Sequence, residues 1–396
     1  MENMHNFNHP GIPQPLFHRI EQMGLVTPTP IQAQAIPHAL NGADILGTAQ
    51  TGTGKTAAYG IPLVVKLMNQ PKGNAIILLP TRELAAQVMQ TMQKLIGNSK
   101  LPIALLIGGQ EMFKQIRQLQ ANPRLIVGTP GRINDHLKRG TLNLSNTDFL
   151  VLDEVDRMLD MGFGVQLDAI ARHLTAPKRQ TLMFSATLPD NIQKVSAKYL
   201  KDPVRISVGS TSSPAEKVKQ EQVKISDGEK YGQLLKELDT RTGSILVFVK
   251  TKHSADRMAS KLQKLGHKAD ALHGDLRQNR RNRVVADFRK KVYRILVATD
   301  VAARGLDIPH IEYVINYDLP QCPEDYIHRI GRTARAGADG VAISFLSPGD
   351  GAKWKAIMRL LDPSAKQDNF DTGRSENRNR SQRNHKRRFR SFGGRR

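Results

Sequence analysis

The 396-residue chain is predicted to fold as α/β, in two similar halves that each build a mainly parallel sheet flanked by helices. Short apolar runs recur at intervals that leave room for a helix between them. The runs are continuous rather than alternating, as in strands buried on both faces, and the whole layout occurs twice. A chain of this length also predicts two or three domains, each able to bury its own core.

Residues 43–47 (ADILG) read as a short strand, and the apolar spacing of residues 56–68 (TAAYGIPLVVKLM) predicts a helix soon after it. Further strands are expected at 75–79 (AIILL), 103–107 (IALLI), 125–127 (LIV), 149–152 (FLVL) and 181–184 (TLMF). Helix-length segments such as 82–96 and 164–174 lie between them. The second half repeats the pattern with runs at 244–249 (SILVFV), 269–272, 294–299 (RILVAT), 313–317 and 341–345 (VAISF). Residues 209–216 (GSTSSPAE) are small, polar and proline-containing, the composition of a linker. The expected division is therefore a first domain over 1–208, a connector over 209–218 and a second domain over 219–362. Residues 363–396 lose apolar periodicity and become rich in Arg, Asn, Ser and Gly, which predicts a basic tail disordered in isolation.

Charge narrows the partners. Lys and Arg number 59 against 36 acids, a net +23, which points to a polyanion. Residues 371–396 supply +8 of this and the rest of the chain +15, so the body is basic in its own right. Cys322 stands alone, which excludes an internal disulfide and a cysteine zinc site and suggests a reducing, cytoplasmic setting. His5 and His9 lie four apart but lack a third ligand nearby, so they read as an ordinary polar segment. No apolar stretch approaches the roughly 18 residues of a membrane span, and residues 1–10 lack the pattern of a signal peptide. A soluble protein with no membrane partner is expected.

Residues 49–56 (AQTGTGKT) fall between the first strand and its helix. Glycine tolerates positive φ and close approach, so such a loop can turn its N–H groups around phosphates. Lys55 then meets the β and γ phosphates, and the Thr56 hydroxyl is placed for Mg²⁺. Ala49 stands where the strict phosphate-loop pattern has Gly, so the strand-loop-helix context decides the reading. About 100 residues later the run FLVL ends in Asp153-Glu154, where the Asp can hold Mg²⁺ and the Glu can polarise an attacking water. Together these predict binding of a nucleoside triphosphate. Other polar signatures also follow apolar runs directly: 80–83 (PTRE), 128–132 (GTPGR) and 185–187 (SAT). Ligands in open α/β sheets bind beyond the carboxyl ends of strands, so every signature belongs on one edge of its domain. Two such edges facing each other make a cleft.

With these signatures in this order over roughly residues 7–350, the chain resembles the DEAD-box ATP-dependent RNA helicases, two-domain members of helicase superfamily 2, and most of all the short bacterial ones. The resemblance implies two tandem RecA-like domains that close over ATP, Mg²⁺ and one RNA strand, bend it, and so open a short duplex. Residues 24–32 (GLVTPTPIQ) resemble the family's Q motif, which implies Gln32 at the adenine edge and Phe7 near the base, with Leu25 where the family usually has an aromatic. Thr51, Gly52, Thr53, Gly54, Lys55 and Thr56 correspond to the phosphate loop.

Asp153-Glu154-Val155-Asp156 stands where the family has Asp-Glu-Ala-Asp. Val155 adds two methyl groups, a change costing about 1 to 3 kcal/mol unless neighbours adapt, and compensation nearby is expected. Residues 328–335 (HRIGRTAR) resemble the arginine-finger segment, implying Arg332 and Arg335 on the γ-phosphate and a contribution of about 10³ to 10⁵ in rate. The family has Gly where Ala334 stands, so an ordinary helical backbone angle is expected at Ala334. Ser185 and Thr187, with Asp156 and His328, correspond to the groups that link hydrolysis to strand separation. Within residues 298–307 (ATDVAARGLD), Asp307 is implied at the ribose and Thr299 near an RNA phosphate.

The remaining matches concern RNA: Arg82, Gly108, Gly109, Thr129, Gly131 and Arg132 in the first half, then His273-Gly274-Asp275, Gln278 and Arg281 in the second. These residue types contact phosphate without reading bases, so binding with little sequence specificity is expected. Aromatics make up only 5% of the chain, which argues against a base-stacking reader. Two other readings remain at this level. An ATP-gated RNA clamp or annealing chaperone would draw its affinity from the tail, and truncation at about residue 362 separates it from a helicase core. A DNA translocase of the same superfamily is disfavoured by the Gln32 segment and by residues 153–156. Residues 386–388 (KRR) read as a solvated RNA-contacting patch rather than a nuclear signal, and a monomer is expected.

Overall fold

The structure, a computed structural model, describes residues 4–49, 52–188, 190–208, 218–303, 308, 310–334 and 339–361. The first lobe opens with α1 (Gln14–Gln22) and α2 (Pro30–Leu40), then β1 (Ile45–Ala49), α3 (Lys55–Asn69), β2 (Asn74–Leu78) and α4 (Arg82–Ile96). It continues through β3 (Ile103–Leu106), α5 (Met112–Gln120), β4 (Leu125–Gly128), α6 (Pro130–Lys138) and β5 (Thr147–Leu152). The short α7 (Val155–Asp160), α8 (Gly164–Ala171), β6 (Gln180–Ser185), α9 (Asp190–Tyr199) and β7 (Val204–Val208) complete it.

The second lobe begins with β8 (Val218–Lys224), α10 (Lys230–Thr240), β9 (Ile245–Phe248), α11 (Lys252–Lys264) and β10 (Ala269–Leu272). It then runs through α12 (Gln278–Arg289), β11 (Ile295–Ala298), α13 (Asp300–Ala303) and β12 (Tyr313–Asn316). It closes with α14 (Pro323–Ile330), β13 (Gly340–Leu346), a 3₁₀ turn at Pro348–Asp350 and α15 (Gly351–Leu361).

Among the described residues the first sheet has the order β3-β4-β2-β5-β6-β1-β7 and the second β10-β11-β9-β12-β13-β8, with every pairing parallel. The two lobes are thus tandem RecA-like domains. Continuous apolar strands have this result because successive side chains point to opposite faces, and both faces are covered. Ile77, Val151 and Phe184 pack with α1 to α4, whereas Ile76, Leu150 and Met183 pack against residues of α6 to α9. The second sheet divides its strands between two cores in the same way.

Two strands escape the apolar-run criterion. β7 (VRISV) and β8 (VKQEQVK) are edge strands with exposed positions along their length, so neither needs a continuous apolar run. Val218, at the end of the expected connector, is the first residue of β8 and pairs with Gly340. Residues 209–217 and 362–396, covering the rest of that connector and the basic tail, lie outside the described residues. No helix among the described residues is long and apolar enough to cross a membrane.

Candidate functional site

Because all strands of a lobe run parallel, β1, β2, β4, β5 and β6 deliver their following segments to one edge of the first sheet. After β1 the chain turns through Gly52 (φ +86°) and Gly54 (φ +87°), both in the left-handed region, before α3 begins at Lys55. A Cβ at Gly54 would also collide with Gln32 Nε2, so glycine is required there on two counts. That close neighbour is a clamp. Gln32 Nε2 donates to Gly54 O at 3.0 Å and Thr29 Oγ1 to Thr53 O at 2.8 Å, while Gln32 Oε1 accepts from Thr29 N–H at 2.9 Å. Gln32 is buried, yet its amide keeps one N–H and one lone pair beyond these bonds. Phe7 is 1% exposed and belongs to the core beneath this region.

Lys55 is buried and its Nζ donates to Ala49 O at 2.9 Å. Asp153, at the end of β5, accepts from Tyr59 Oη at 3.0 Å and from the Glu154 N–H at 2.9 Å. Burial pushes the Asp153 carboxyl up to about 6, against the pull of Lys55. Glu154 caps α7 in the left-handed region (φ +54°), a strained geometry for a side-chain-bearing residue. Burial alone would raise its carboxyl, but Arg157, Lys55 and Arg332 together hold it below the usual range. Val155 is fully buried in the core on the same face as Met158 and Met183.

Asp156 faces the segment after β6. Its Oδ2 accepts from the N–H of Ala186 (2.9 Å) and Thr187 (3.1 Å) and from Thr187 Oγ1 (3.3 Å). The Ser185 hydroxyl is buried and has no protein partner among the described residues. A buried carboxylate beside a lysine, with the half-buried Thr56 hydroxyl on the facing helix, suits Mg²⁺, which takes one or two carboxylates and fills its other positions with water and phosphate.

The second lobe contributes α14. Arg329 anchors that helix, donating to both oxygens of Asp300 (2.5 and 2.7 Å), to Asn316 Oδ1 and to Asp318 O, with its guanidinium over the Phe248 ring. This frees the next turn to reach across. Arg332 is 4% exposed, its Nε donates to His328 O at 3.0 Å, and its charge is felt at Glu154 in the other lobe. His328 Nδ1 lies 2.9 Å from Arg157 Nη2. The helical angle expected at Ala334 is overturned: its φ is +54°. α14 has already ended at Ile330, and the chain must turn back against Gly340, which packs onto the Ala334 N–H. Thr51, Asp307 and Arg335 lie outside the described residues.

A second feature is a cavity of about 500 Å³ between the lobes. Arg82, Gly108, Gly109, Thr129, Gly131 and Arg132 line it from the first lobe, and Gly274, Gln278 and Arg281 from the second. Thr299 sits half-buried at the end of β11, its N–H bonded to Leu272 O, and is not in the lining. Arg82 Nη1 donates to Gln278 Oε1 at 2.8 Å across the lobes, and Glu83 pairs with Arg281 at 2.5 Å. A Cβ at Gly108 would come within 2.9 Å of the Arg82 guanidinium, so that glycine lets Arg82 lie flat against the loop. Burial lowers the Arg82 pKa against the pull of Glu83, with smaller contributions from the charges of Arg281 and Arg132.

Sequence reasoning missed Tyr59, Thr29, Glu83 and Arg157. Tyr59 and Arg157 each lie three residues beyond a predicted site residue, Thr56 and Glu154, and so on the same helical face, a spacing legible in the sequence. Thr29 also stands three residues before Gln32, a capping-box spacing, and Glu83 closes the 80–83 signature, but their contacts with Thr53 and Arg281 join residues distant in the chain and have no signal in the sequence.

Comparison with known proteins agrees with this geometry. A family model described as DEAD/DEAH box helicase matches residues 29–195, and one described as helicase conserved C-terminal domain matches residues 229–337. The chain is 44% identical over 347 residues to the DEAD-box ATP-dependent RNA helicase CshA of Geobacillus kaustophilus, covering 87% of this chain and 74% of that one. With the ATP-dependent RNA helicase CshA of Listeria monocytogenes it shares 42% over 366 residues, 92% of this chain and 69% of the relative. S. cerevisiae Dbp5 bound to RNA and ADP BeF3 superposes with a TM-score of 0.80 at 33% identity, over 91% of this chain and 94% of that one. A DEAD box protein from Methanococcus jannaschii is more similar in sequence, at 41%, yet reaches only 0.53 over 91% of this chain and 98% of that one.

Proposed function

The chain belongs to the DEAD-box ATP-dependent RNA helicases, and on that premise we propose how its own residues divide the work. As a member of this family it uses ATP, binds RNA and couples the two. Its units are a nucleotide-binding domain over 1–208, a connector over 209–217, a second RecA-like domain that begins with β8 at Val218 and runs to 362, and a basic tail over 363–396. The protein works as a cytoplasmic monomer.

Gly52, Thr53, Gly54 and Lys55, joined by Thr51, hold the triphosphate through backbone N–H groups and one ammonium. Gln32 offers its remaining amide N–H and lone pair to the adenine edge, Phe7 supports that wall from the core, and Asp307 takes the ribose. Thr56 and Asp153 would hold Mg²⁺, which when bound with the nucleotide neutralises phosphate charge. Glu154, the second residue of a DEVD form of the family's signature, orients the attacking water. Arg332 and Arg335 approach the γ-phosphate from the second lobe, so hydrolysis needs the lobes together. Asp156, Ser185, Thr187 and His328 relay that requirement to the RNA cleft. There Arg82, Gly108, Gly109, Thr129, Gly131, Arg132, Gln278, Arg281 and Thr299 grip the sugar-phosphate strand with little regard for sequence.

The observation that carries this reading is that α14 of the second lobe meets the carboxylate of the first: Arg157 Nη1 lies 2.7 Å from Glu154 Oε2 and its Nη2 lies 2.9 Å from His328 Nδ1, with Arg332 buried one turn further on. The test is Glu154→Gln, which should still bind ATP and RNA but hydrolyse roughly 10² to 10⁴ times more slowly. Undiminished turnover by that variant refutes the assignment.

A further inference from the structure

Arg157 is among the largest fully buried side chains, and its two terminal nitrogens serve different lobes. Nη1 donates to Glu154 Oε2 at 2.7 Å, and Nη2 reaches His328 Nδ1 at 2.9 Å. A guanidinium only donates, so His328 Nδ1 is the acceptor and the imidazole is neutral with its proton on Nε2. The Arg157 Nε has no partner among the described residues, so these two contacts and the packing fix the side chain.

We propose that Arg157 is a positioning residue that reports closure of the lobes to Glu154. An arginine and a carboxylate left alone favour a fork-on-fork pair that engages both carboxylate oxygens. Here Arg157 donates to Oε2 through Nη1 while its second terminal nitrogen is turned to His328, so the fork does not close on both oxygens. Parting the lobes withdraws His328. The guanidinium then folds onto both oxygens of Glu154 and blocks it. Closure opens the carboxylate for hydrolysis, and by reciprocity the Arg157–His328 contact strengthens the closed state that grips RNA. This rests on the reading of Glu154 as the water-orienting carboxylate and adds how the second lobe controls it.

The experiment uses the full chain and a fluorescein-labelled single-stranded oligouridylate, with anisotropy giving the RNA Kd without nucleotide and with AMP-PNP. The ratio of the two measures the coupling. Arg157→Lys keeps a positive charge beside Glu154 but has no planar fork to span both partners. His328→Ala removes the acceptor from the opposite lobe without touching the buried arginine. Each variant is expected to lower the ratio roughly tenfold, the worth of one hydrogen bond to a charged group. The double variant should lose no more than the worse single, since both remove one contact. ATPase follows the same logic: in Arg157→Lys the RNA-free rate should rise as a fraction of the RNA-stimulated rate, because a single ammonium cannot cover both oxygens.

An unchanged ratio in either single variant with parental melting temperature, or additive losses in the double, overturns the proposal. Should Arg157→Lys fail to fold, His328→Ala tests the same contact alone. Glu154→Gln keeps an amide oxygen for Arg157 and should leave the binding ratio near the parent's. Normal turnover in that variant sinks the hydrolytic reading of Glu154 while the coupling measured by binding stands.

Discussion

Restoring the family's alanine at position 155 should destabilise this protein. Consensus substitutions commonly stabilise, so the expectation runs against the usual direction and tests the packing directly. Val155 is fully buried in the core that also holds Leu46, Leu152, Met158 and Met183. Val155→Ala removes two methyl groups, about 1.6 kcal/mol of transfer free energy at roughly 0.8 kcal/mol each. The space left behind adds to this, because surrounding side chains relax only in part, for a total of about 2 to 3 kcal/mol. A lobe of this size loses about 2 to 4 °C per kcal/mol, so its melting temperature should fall by about 5 to 10 °C. The chain offers an internal control, since its single tryptophan, Trp354, is buried in the second lobe. Far-UV circular dichroism of the nucleotide-free protein should show the first lobe melting earlier, while Trp354 emission continues to report the second lobe. Glu154 and Asp156 keep their backbone anchors, so ATP turnover at 25 °C should persist. An unchanged or raised melting temperature would falsify the account, because it would mean that the two extra methyl groups are crowded rather than accommodated.

Ala334→Gly should stabilise the second lobe. An L residue at φ +54° carries a cost of about 1 to 2 kcal/mol that glycine lacks, offset by roughly 0.5 to 1 kcal/mol of extra freedom in the unfolded chain. The melt followed by Trp354 should therefore rise slightly, and a fall would contradict the backbone assignment. Asp153→Asn should raise the stability of the nucleotide-free protein in a pH-dependent way. Its carboxyl lies at about 6 when folded against 3.8 for the ordinary group, so the folded state holds the proton more tightly. The penalty for ionising it is absent below pH 3.8, grows through the window and is complete above about 6. The neutral variant should thus gain up to about 3 kcal/mol at pH 8 and only about 0.5 kcal/mol at pH 4, and an equal offset at both pH values rules this out.

The central strands of both sheets were legible because burial on both faces demands uninterrupted apolar runs, as in residues 75–79 and 149–152. The phosphate loop was legible for a similar reason, since its glycines answer a backbone requirement that is local to Gly52 and Gly54. β7 and β8 were not, because edge strands are partly solvated and their polar residues resemble those of loops. Ala334 misled because its side chain argues for a helical angle, whereas the return of the chain to Gly340 imposes the left-handed one.

What the sequence by itself determined is the alternation of strand and helix, the edge of each sheet that carries the polar signatures, and the family. Only the tertiary structure decided which groups are hydrogen-bonded: Tyr59 with Asp153, Gln32 with the phosphate loop, and Arg157 with both Glu154 and His328. Residues 157 and 328 lie on helices of separate lobes, α7 and α14, and each is compatible with its own helix whatever the other does. Their meeting depends on how two independently folded lobes dock, a free energy spread over the whole interface between them and written in no single segment of the chain.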